Sequence, residues 1–362
     1  MRILLVGGGT AGPVSPLLAI AEEIKTSHPR TEFLLVGTKT GPERLMAKKA
    51  KITFVSIAAG KLRRYASLKN LAAPIFTAIG FFQAIKILKK YRPDCIFGTG
   101  SFVQVPVVWA AWLFKLPVIL HQQDVVLSLA NKLCQFAAKK ITVTFAASLK
   151  NFSPNLGLFY KKNKDKILLT GNPFRENLKT GSRQNAAKYF NLKPDLPTLL
   201  VIGGGTGAEF LNKLIWSALP QLTKTVQIIH AAGLGKLKAS PTENYHAYEF
   251  IHNMADAYAA ADIVLARAGL STLTELSNLK KLSIIVPMPE SHQEINALYL
   301  IKAEAAIVLN QKHATAAGFV GLVRKLLFAH EAQKLLKENI AKIMPHNSNE
   351  KISKAILELA QK

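Results

Sequence analysis

The stretch Thr198–Asn212, Thr-Leu-Leu-Val-Ile-Gly-Gly-Gly-Thr-Gly-Ala-Glu-Phe-Leu-Asn, decides the fold. An apolar run that ends in glycines reads as a buried strand, and the residues after the turn read as the start of a helix. Near the beginning of the chain, Arg2–Gly12, Arg-Ile-Leu-Leu-Val-Gly-Gly-Gly-Thr-Ala-Gly, repeats the apolar run, the triple glycine and the threonine. A strand, glycine turn and helix at the start and again about halfway along predicts two similar α/β halves facing one another across a cleft.

The segments between them continue the pattern. In the first half, apolar runs at residues 3–6, 33–36, 52–57, 95–97, 118–120, 141–145 and 167–169 read as short strands. Helical spacing separates some of them, as with Leu17, Ile20, Ala21 and Ile24 after Pro16. In the second half, strands are expected at 226–229, 249–251, 263–265, 283–286 and 306–309. This alternation predicts Rossmann-like, doubly wound parallel sheets. The polar stretches 151–166 and 179–196 place a boundary near Asn172, giving domains 1–172 and 173–346. Asn347 and Glu350 have capping-box spacing before Ile352, Ala355, Ile356 and Leu359. Residues 347–362 are therefore expected to form a capped amphipathic helix that packs back on the first domain.

Composition narrows the class. A chain of 362 residues with 49% hydrophobic content is ample for two cores. Cys95 and Cys134 follow no metal spacing and are too few for a disulfide framework, and Met1–Gly9 lacks the apolar core of a signal peptide. A cytoplasmic protein is the expectation. The formal net charge of +25, from 47 basic against 22 acidic residues, suits an anionic membrane surface, phosphate-rich ligands or a generally lysine-rich proteome. No nucleic-acid partner is expected, because the lysines are dispersed and no helix-turn-helix, zinc-finger or RNA-binding signature accompanies them.

Two apolar stretches bear on membranes. Residues 102–120 have the length of a span, but Gln104, Pro106, Lys115 and Pro117 interrupt them. A buried helix centred on Val107–Phe114, followed by a strand at 117–120, fits better. Lys61, Arg63, Arg64 and Lys69 precede Leu71, Ile75, Phe76, Ile79, Phe81 and Phe82. That order suits a monotopic membrane contact, and equally a helix packed on the sheet with solvated lysines at its start.

A glycine turn between strand and helix presents backbone N–H groups to a diphosphate. Gly7-x-Gly9-x-x-Gly12 and Gly203-x-Gly205-x-x-Ala208 both fit the dinucleotide pattern, so a nicotinamide or flavin enzyme is a rival reading. That pattern also requires an acid roughly 20 residues on, at the end of the second strand. Gly37-Thr38 and His230-Ala231-Ala232 supply none. Arg267–Glu275 leaves a strand and opens a helix; Thr272 and Glu275 have capping-box spacing, while Glu275 could equally accept the two hydroxyls of a ribose. His292–Ala297, around Gln293, begins the next helix. His121-Gln122-Gln123-Asp124 comes after a strand end and either lies in a solvated loop or brings Asp124 near an acceptor hydroxyl. With no Asp-x-Asp pair and no zinc-type His spacing, no metal or cofactor is expected; a departing diphosphate would rely on amides, a helix dipole and Arg175.

Taken in order, Gly8–Gly12, Gly98–Val103 with Pro106, His121–Asp124, Gly171–Arg175, Gly203–Ala208, Glu249–Ile251 with Met254-Ala255, Leu270–Glu275, and Gln293 with Asn296-Ala297 resemble the motifs of the MurG family across nearly the whole chain. These UDP-N-acetylglucosamine transferases convert lipid I to lipid II in peptidoglycan synthesis. The resemblance implies the glycosyltransferase-B fold and a place at the cytoplasmic face of the membrane. It also implies that Thr10, Ala11 and Gly12 lie by the donor sugar and acceptor diphosphate, and Asp124 by the N-acetylglucosamine. Arg175, Gly205 and Thr206 would surround the donor phosphates, Ile251 the uracil and Glu275 the ribose. Leu270, Ser271, Thr272, Leu273 and Thr274 would line the diphosphate, Gln293 the sugar hydroxyls, and Leu71–Phe82 the membrane. The chain departs from the family pattern at Pro13, where a histidine is usual, and at Gln122, Asp124 and Gly205. On these residues the base is reassigned to Asp124, or the chain is a relative with another lipid acceptor or a nucleotide-sugar-binding paralogue without catalysis.

Overall fold

In the computed structural model, which describes residues 1–61, 71–149, 166–204, 207–238 and 242–361, the chain divides into two compact units. One comprises Met1–Phe174 and Met344–Lys362, the other Arg175–Ile343.

The first unit contains β1 (Arg2–Val6), α1 (Ala11–Ser27), β2 (Glu32–Gly37), α2 (Glu43–Lys49), β3 (Thr53–Ser56), α3 (Ala73–Tyr91), β4 (Cys95–Gly98), α4 (Gln104–Leu113), β5 (Val118–Gln122), α5 (Leu129–Cys134), β6 (Lys140–Val143), α6 (Ala146–Leu149) and β7 (Ile167–Leu169). Its sheet has the order β3-β2-β1-β4-β5-β6-β7, with every pairing parallel. The central strands are apolar throughout because helices cover both faces. Ile3, Leu5, Phe33, Leu35 and Phe97 face α1, whereas Leu4, Val6, Leu34, Val36 and Ile96 face α3 and α4. The strand order reverses between β1 and β4, so the crevice at their carboxyl ends is where a ligand site belongs.

The second unit contains α7 (Arg183–Phe190), β8 (Thr198–Ile202), α8 (Glu209–Leu222), β9 (Gln227–Ala231), β10 (Tyr245–Tyr248), α9 (Met254–Ala260), β11 (Ile263–Ala266), α10 (Leu270–Asn278), β12 (Ser283–Ile285), α11 (His292–Lys302), β13 (Ile307–Val308), α12 (Ala316–Phe328) and α13 (His330–Ile340). Its sheet, β10-β9-β8-β11-β12-β13, is again parallel and reverses between β8 and β11. Leu199, Val201, Ile228, Leu265 and Ile284 pack with Leu211 and Ile215 of α8 and Phe319 and Val323 of α12.

The last helix, α14 (Ser348–Ala360), belongs to the first unit, where Ile352, Ala355 and Ile356 join the cluster formed by β1 and α1. Asn347 stands at its N-cap, but its side chain makes no capping bond. The helix start is tied down by its neighbours instead. Ser348 Oγ donates to the Asn172 carbonyl at 2.7 Å, and the Asn349 amide both accepts the Phe174 N–H (3.0 Å) and donates to the Phe174 carbonyl (2.7 Å).

Three elements differ from the sequence expectation. The strand expected at 249–251 is instead Tyr245–Tyr248, an edge strand whose alternating burial hides it from a search for apolar runs. Glu249 lies beyond it in a loop and accepts the Gly235 N–H at 2.9 Å. The apolar helix before β5 begins at Gln104 and buries Val105–Val108, Ala110 and Ala111, but its end is open: Trp112, Leu113 and Phe114 are exposed. Finally, β5 extends through His121 and Gln122, which pair with Thr142 and Val143 and are buried, so the tetrapeptide is not a solvated loop. Among the described residues, no helix is long and apolar enough to cross a membrane.

Candidate functional site

At the carboxyl end of the first sheet, the Gly7–Gly9 turn runs from β1 into α1. Gly9 has a φ of +86°, a conformation glycine adopts without strain, and a Cβ there would strike the Phe102 ring. The turn does not present all its amides to a ligand. Glu43, fully buried at the start of α2, accepts the Gly9 N–H at 3.2 Å and the Thr38 N–H at 2.6 Å, and also the Thr38 hydroxyl. Gly8, Gly37 and Gly41 all lack room for a Cβ because the Glu43 side chain fills that space. Its other oxygen, Oε2, is buried with no hydrogen-bond partner among the described residues. Sequence reasoning missed Glu43. The available signal was an acid shortly after the Gly37-Thr38 strand end in a strongly basic chain.

Beyond Glu43, α1 begins with no acidic residue in its first turn and no side-chain cap from Thr10, which is exposed at the N-cap. Ala11 and Gly12 are half-buried beside it, and Thr99 donates its hydroxyl to the Pro13 carbonyl at 2.6 Å. A buried amide network fixes the neighbouring loops. Gln104 accepts the Gly100 N–H (2.7 Å) and donates to Asn131 (2.6 Å), and Asn131 donates to Gln122 Oε1 (2.7 Å) and to the His121 carbonyl (3.2 Å). Gln122 in turn donates to the carbonyls of Asp124 and Val126, both at 2.8 Å. A carboxylate could not make those two donations, which accounts physically for glutamine at 122. The loop thus fixed carries Asp124, half-buried, whose carbonyl also accepts the Ser148 hydroxyl.

His121 is not a proton carrier. Its ring lies wholly within the core between Thr142 (2.9 Å) and Asn172 (2.9 Å), and burial pushes its pKa down to about 4. It is neutral at ordinary pH and ties β5 to β6 and to the Asn172 segment.

The apolar face of α3 is uncovered. Leu71, just before it, is 75% exposed, and Ile75, Phe76, Ile79 and Phe82 are exposed along it. Phe81, expected on the same face, instead packs against the core, because it stands on the side of the helix that meets the sheet. Trp112, with Phe136 set edge-on at 5.5 Å, forms a further exposed apolar cluster at the end of α4 that the sequence pattern had assigned to the interior. Arg63, Arg64 and Lys69 lie outside the described residues.

In the second unit, β8 enters the Gly203–Gly207 turn, of which Gly205 and Thr206 lie outside the described residues. A Cβ on Gly204 (φ +81°) would meet none of the described residues, whereas one on Gly207 (φ +71°) would overlap the Ala232 carbonyl oxygen. At the end of β11, Arg267 donates to the carbonyls of Val286 and Pro287, both at 3.1 Å, and to Gln311 Oε1 at 2.8 Å, clamping the loop after β12.

The next helix, α10, starts at Leu270 with Gly269 at its N-cap, three residues earlier than capping by Thr272 would require, so the Thr272–Glu275 capping box does not form. Its first turn has no side-chain cap and no acidic residue. Ser271 Oγ is buried there without a partner among the described residues. Leu270, Leu273 and Thr274 turn their side chains inward, with Thr274 bonding back to the Leu270 carbonyl at 2.9 Å. Backbone amides, Ser271 and Thr272 are what this helix start offers a ligand.

One turn on, Glu275 is held from two sides. Arg175 donates to Oε1 and the Tyr258 hydroxyl to Oε2, each at 2.7 Å. The structure therefore brings together Arg175 and Glu275, predicted separately, and adds Tyr258. Ile251 is buried, 3% exposed. Gln293 accepts the Met288 N–H at 3.0 Å at the start of α11. Among the described residues, no group of three or more His, Cys, Asp or Glu side chains could hold a metal ion.

The glycosyltransferase family 28 N-terminal domain matches residues 3–143, and the family's C-terminal domain matches residues 198–359. The chain is 36% identical to the UDP-N-acetylglucosamine--N-acetylmuramyl-(pentapeptide) pyrophosphoryl-undecaprenol N-acetylglucosamine transferase of Lachnospira eligens, over 98% of each chain. It is 39% identical to the protein of the same description from Legionella pneumophila, over 79% of this chain and 77% of that one. Among solved structures, Acinetobacter baumannii MurG aligns over 99% of both chains with a TM-score of 0.71 and 25% identity.

Proposed function

Because the chain belongs to the MurG family of UDP-N-acetylglucosamine-dependent glycosyltransferases, we propose that it transfers N-acetylglucosamine from UDP-N-acetylglucosamine to the 4-hydroxyl of the N-acetylmuramyl-pentapeptide of lipid I, giving lipid II. The observation that carries this reading is the start of α10: uncapped amides and a Ser271 hydroxyl without a partner among the described residues, with a doubly held Glu275 one turn on. Such a helix end suits a diphosphate, and a carboxylate beside it suits the vicinal hydroxyls of a ribose.

In this mechanism the acceptor oxygen attacks the anomeric carbon from the face opposite the diphosphate. The new C–O bond forms as the bond to the diphosphate oxygen breaks, so configuration inverts. UDP leaves with the electron pair, stabilised by the α10 amides, Ser271, Thr272, Arg175, Gly205 and Thr206. Asp124 takes the hydroxyl proton, since the first turn leads to Pro13 rather than to a histidine. Ile251 sits at the uracil, Gln293 by the sugar hydroxyls, and the start of α1 at Thr10, Ala11 and Gly12 by the donor sugar and the acceptor diphosphate. The exposed face of α3, in a chain of net charge +25, suits docking at the anionic cytoplasmic face of the membrane, where the lipid-linked acceptor resides.

The test is transfer of labelled N-acetylglucosamine from its UDP form to a lipid I analogue, with detergent and chelator present. Labelled lipid II supports the reading and shows that Pro13 suffices. Binding of UDP-N-acetylglucosamine without transfer to that analogue would sink it and direct the search to another acceptor.

A further inference from the structure

Tyr258 lies on α9, outside the motifs that carry the donor site, and its ring is fully buried. Its hydroxyl donates to Glu275 Oε2 at 2.7 Å. Burial, and then the adjacent carboxylate, push its ionisation well above the ordinary tyrosine range, so at any working pH it stays a donor. On the other side of the same carboxylate, Arg175 donates to Oε1 at 2.7 Å. A carboxylate offers about four lone-pair positions. Among the described residues two are occupied, one on each oxygen, so that one on each oxygen remains. That spacing matches the two adjacent hydroxyls of a ribose.

The two braces are unlike. Arg175 is at the surface, its side chain 43% exposed, on a segment preceding a short helical turn. Tyr258 is anchored in the core by its ring and loses little freedom in making its bond. A rigid buried donor fixes the carboxylate plane more firmly than a long exposed side chain can.

We propose that Tyr258 is a positioning residue that sets Glu275 for ribose recognition and so gives the donor site its preference for ribonucleotides over deoxyribonucleotides. The inference rests on the proposal that Glu275 receives the ribose. It does not require that the acceptor be lipid I.

The test compares calorimetric binding of UDP and of 2′-deoxy-UDP to the full chain and to Tyr258→Phe, which removes only the hydroxyl and keeps the packed ring. The parent is expected to favour UDP. The variant is expected to bind UDP about tenfold more weakly while 2′-deoxy-UDP changes little, so that the preference collapses. In the transfer assay this appears as a raised donor KM with kcat retained. A variant that keeps the parent's preference, or that weakens for both nucleotides equally, overturns the inference and leaves Tyr258 a packing residue. A parent that binds both nucleotides alike overturns the ribose assignment of Glu275 itself, and the inference falls with it.

Discussion

Glu43 reaches across 34 residues of sequence to accept the N–H of Gly9, so the first glycine turn is held from beneath by a buried carboxylate. Gly9 therefore has its amide occupied, which leaves the amides at the start of α1 for the acceptor diphosphate proposed above. Replacing Glu43 with alanine strands the Gly9 and Thr38 donors inside the protein. The expected cost is about 2–4 kcal/mol, seen as a fall in Tm, with a raised acceptor KM and unaltered UDP affinity. An equal loss of both affinities would argue against a local role for Glu43.

Gln122 donates to two carbonyls and accepts from Asn131 and from the Ser128 N–H. Gln122→Glu turns a carboxylate oxygen toward the Asp124 and Val126 carbonyls. It should lower Tm and cut kcat by disordering the loop that carries Asp124. Unchanged kcat would show that the loop tolerates the lost donors. Asp124→Asn isolates the proposed proton transfer and is expected to cut kcat by roughly 10²–10⁴-fold with donor binding intact.

Two glycines of the second turn separate strain from collision. Gly204→Ala meets only the backbone penalty, about 1–2 kcal/mol, because none of the described residues lies near its Cβ. Gly207→Ala adds an overlap with the Ala232 carbonyl oxygen, so it should cost more and weaken UDP binding with it. Thermal melts and UDP titrations of the pair check both parts, and equal losses would mean that the turn yields freely.

Burial lowers both His121 and His230 to about 4. His230 sits between Tyr245 (2.9 Å) and Asn212 (3.0 Å) in the second unit. In the unfolded chain both titrate near 6.5, so below that pH the unfolded state binds more protons than the folded one. Their contribution is complete above about pH 6.5 and is lost as pH falls through 4, at most roughly 3 kcal/mol each. Tm should fall steadily over that window. By NMR, neither ring should titrate between about pH 8 and 5.5; a ring that does would not be buried neutral.

Serine at Ile75, Ile79 and Phe82 together should abolish binding to vesicles containing anionic phospholipid while leaving UDP affinity and Tm nearly unchanged, because these side chains are exposed. A matched change at Phe81 should lower Tm instead, since that ring packs on the core. Retained vesicle binding by the triple variant would place the contact elsewhere, with the Trp112–Phe136 cluster the next surface to change.

By itself the sequence determined the two parallel sheets, through apolar runs punctuated by Gly7–Gly9 and Gly203–Gly205, and it located the first and second glycine turns and the Arg267–Glu275 segment. Those features are local: hydrophobic period and glycine punctuation lie within a few residues of one another and need no partner to be read. It could not determine what lies opposite. That Glu43 supports Gly9, that Tyr258 and Arg175 share Glu275, and that His121 is locked between Thr142 and Asn172 depend on contacts between elements far apart in the chain. The same limit hid Phe81 and Trp112, since helical spacing marks an apolar face but not which part of it the sheet covers. Only tertiary structure decides which polar groups are buried together, because a desolvated donor or acceptor must find its partner in space, whatever the distance in sequence.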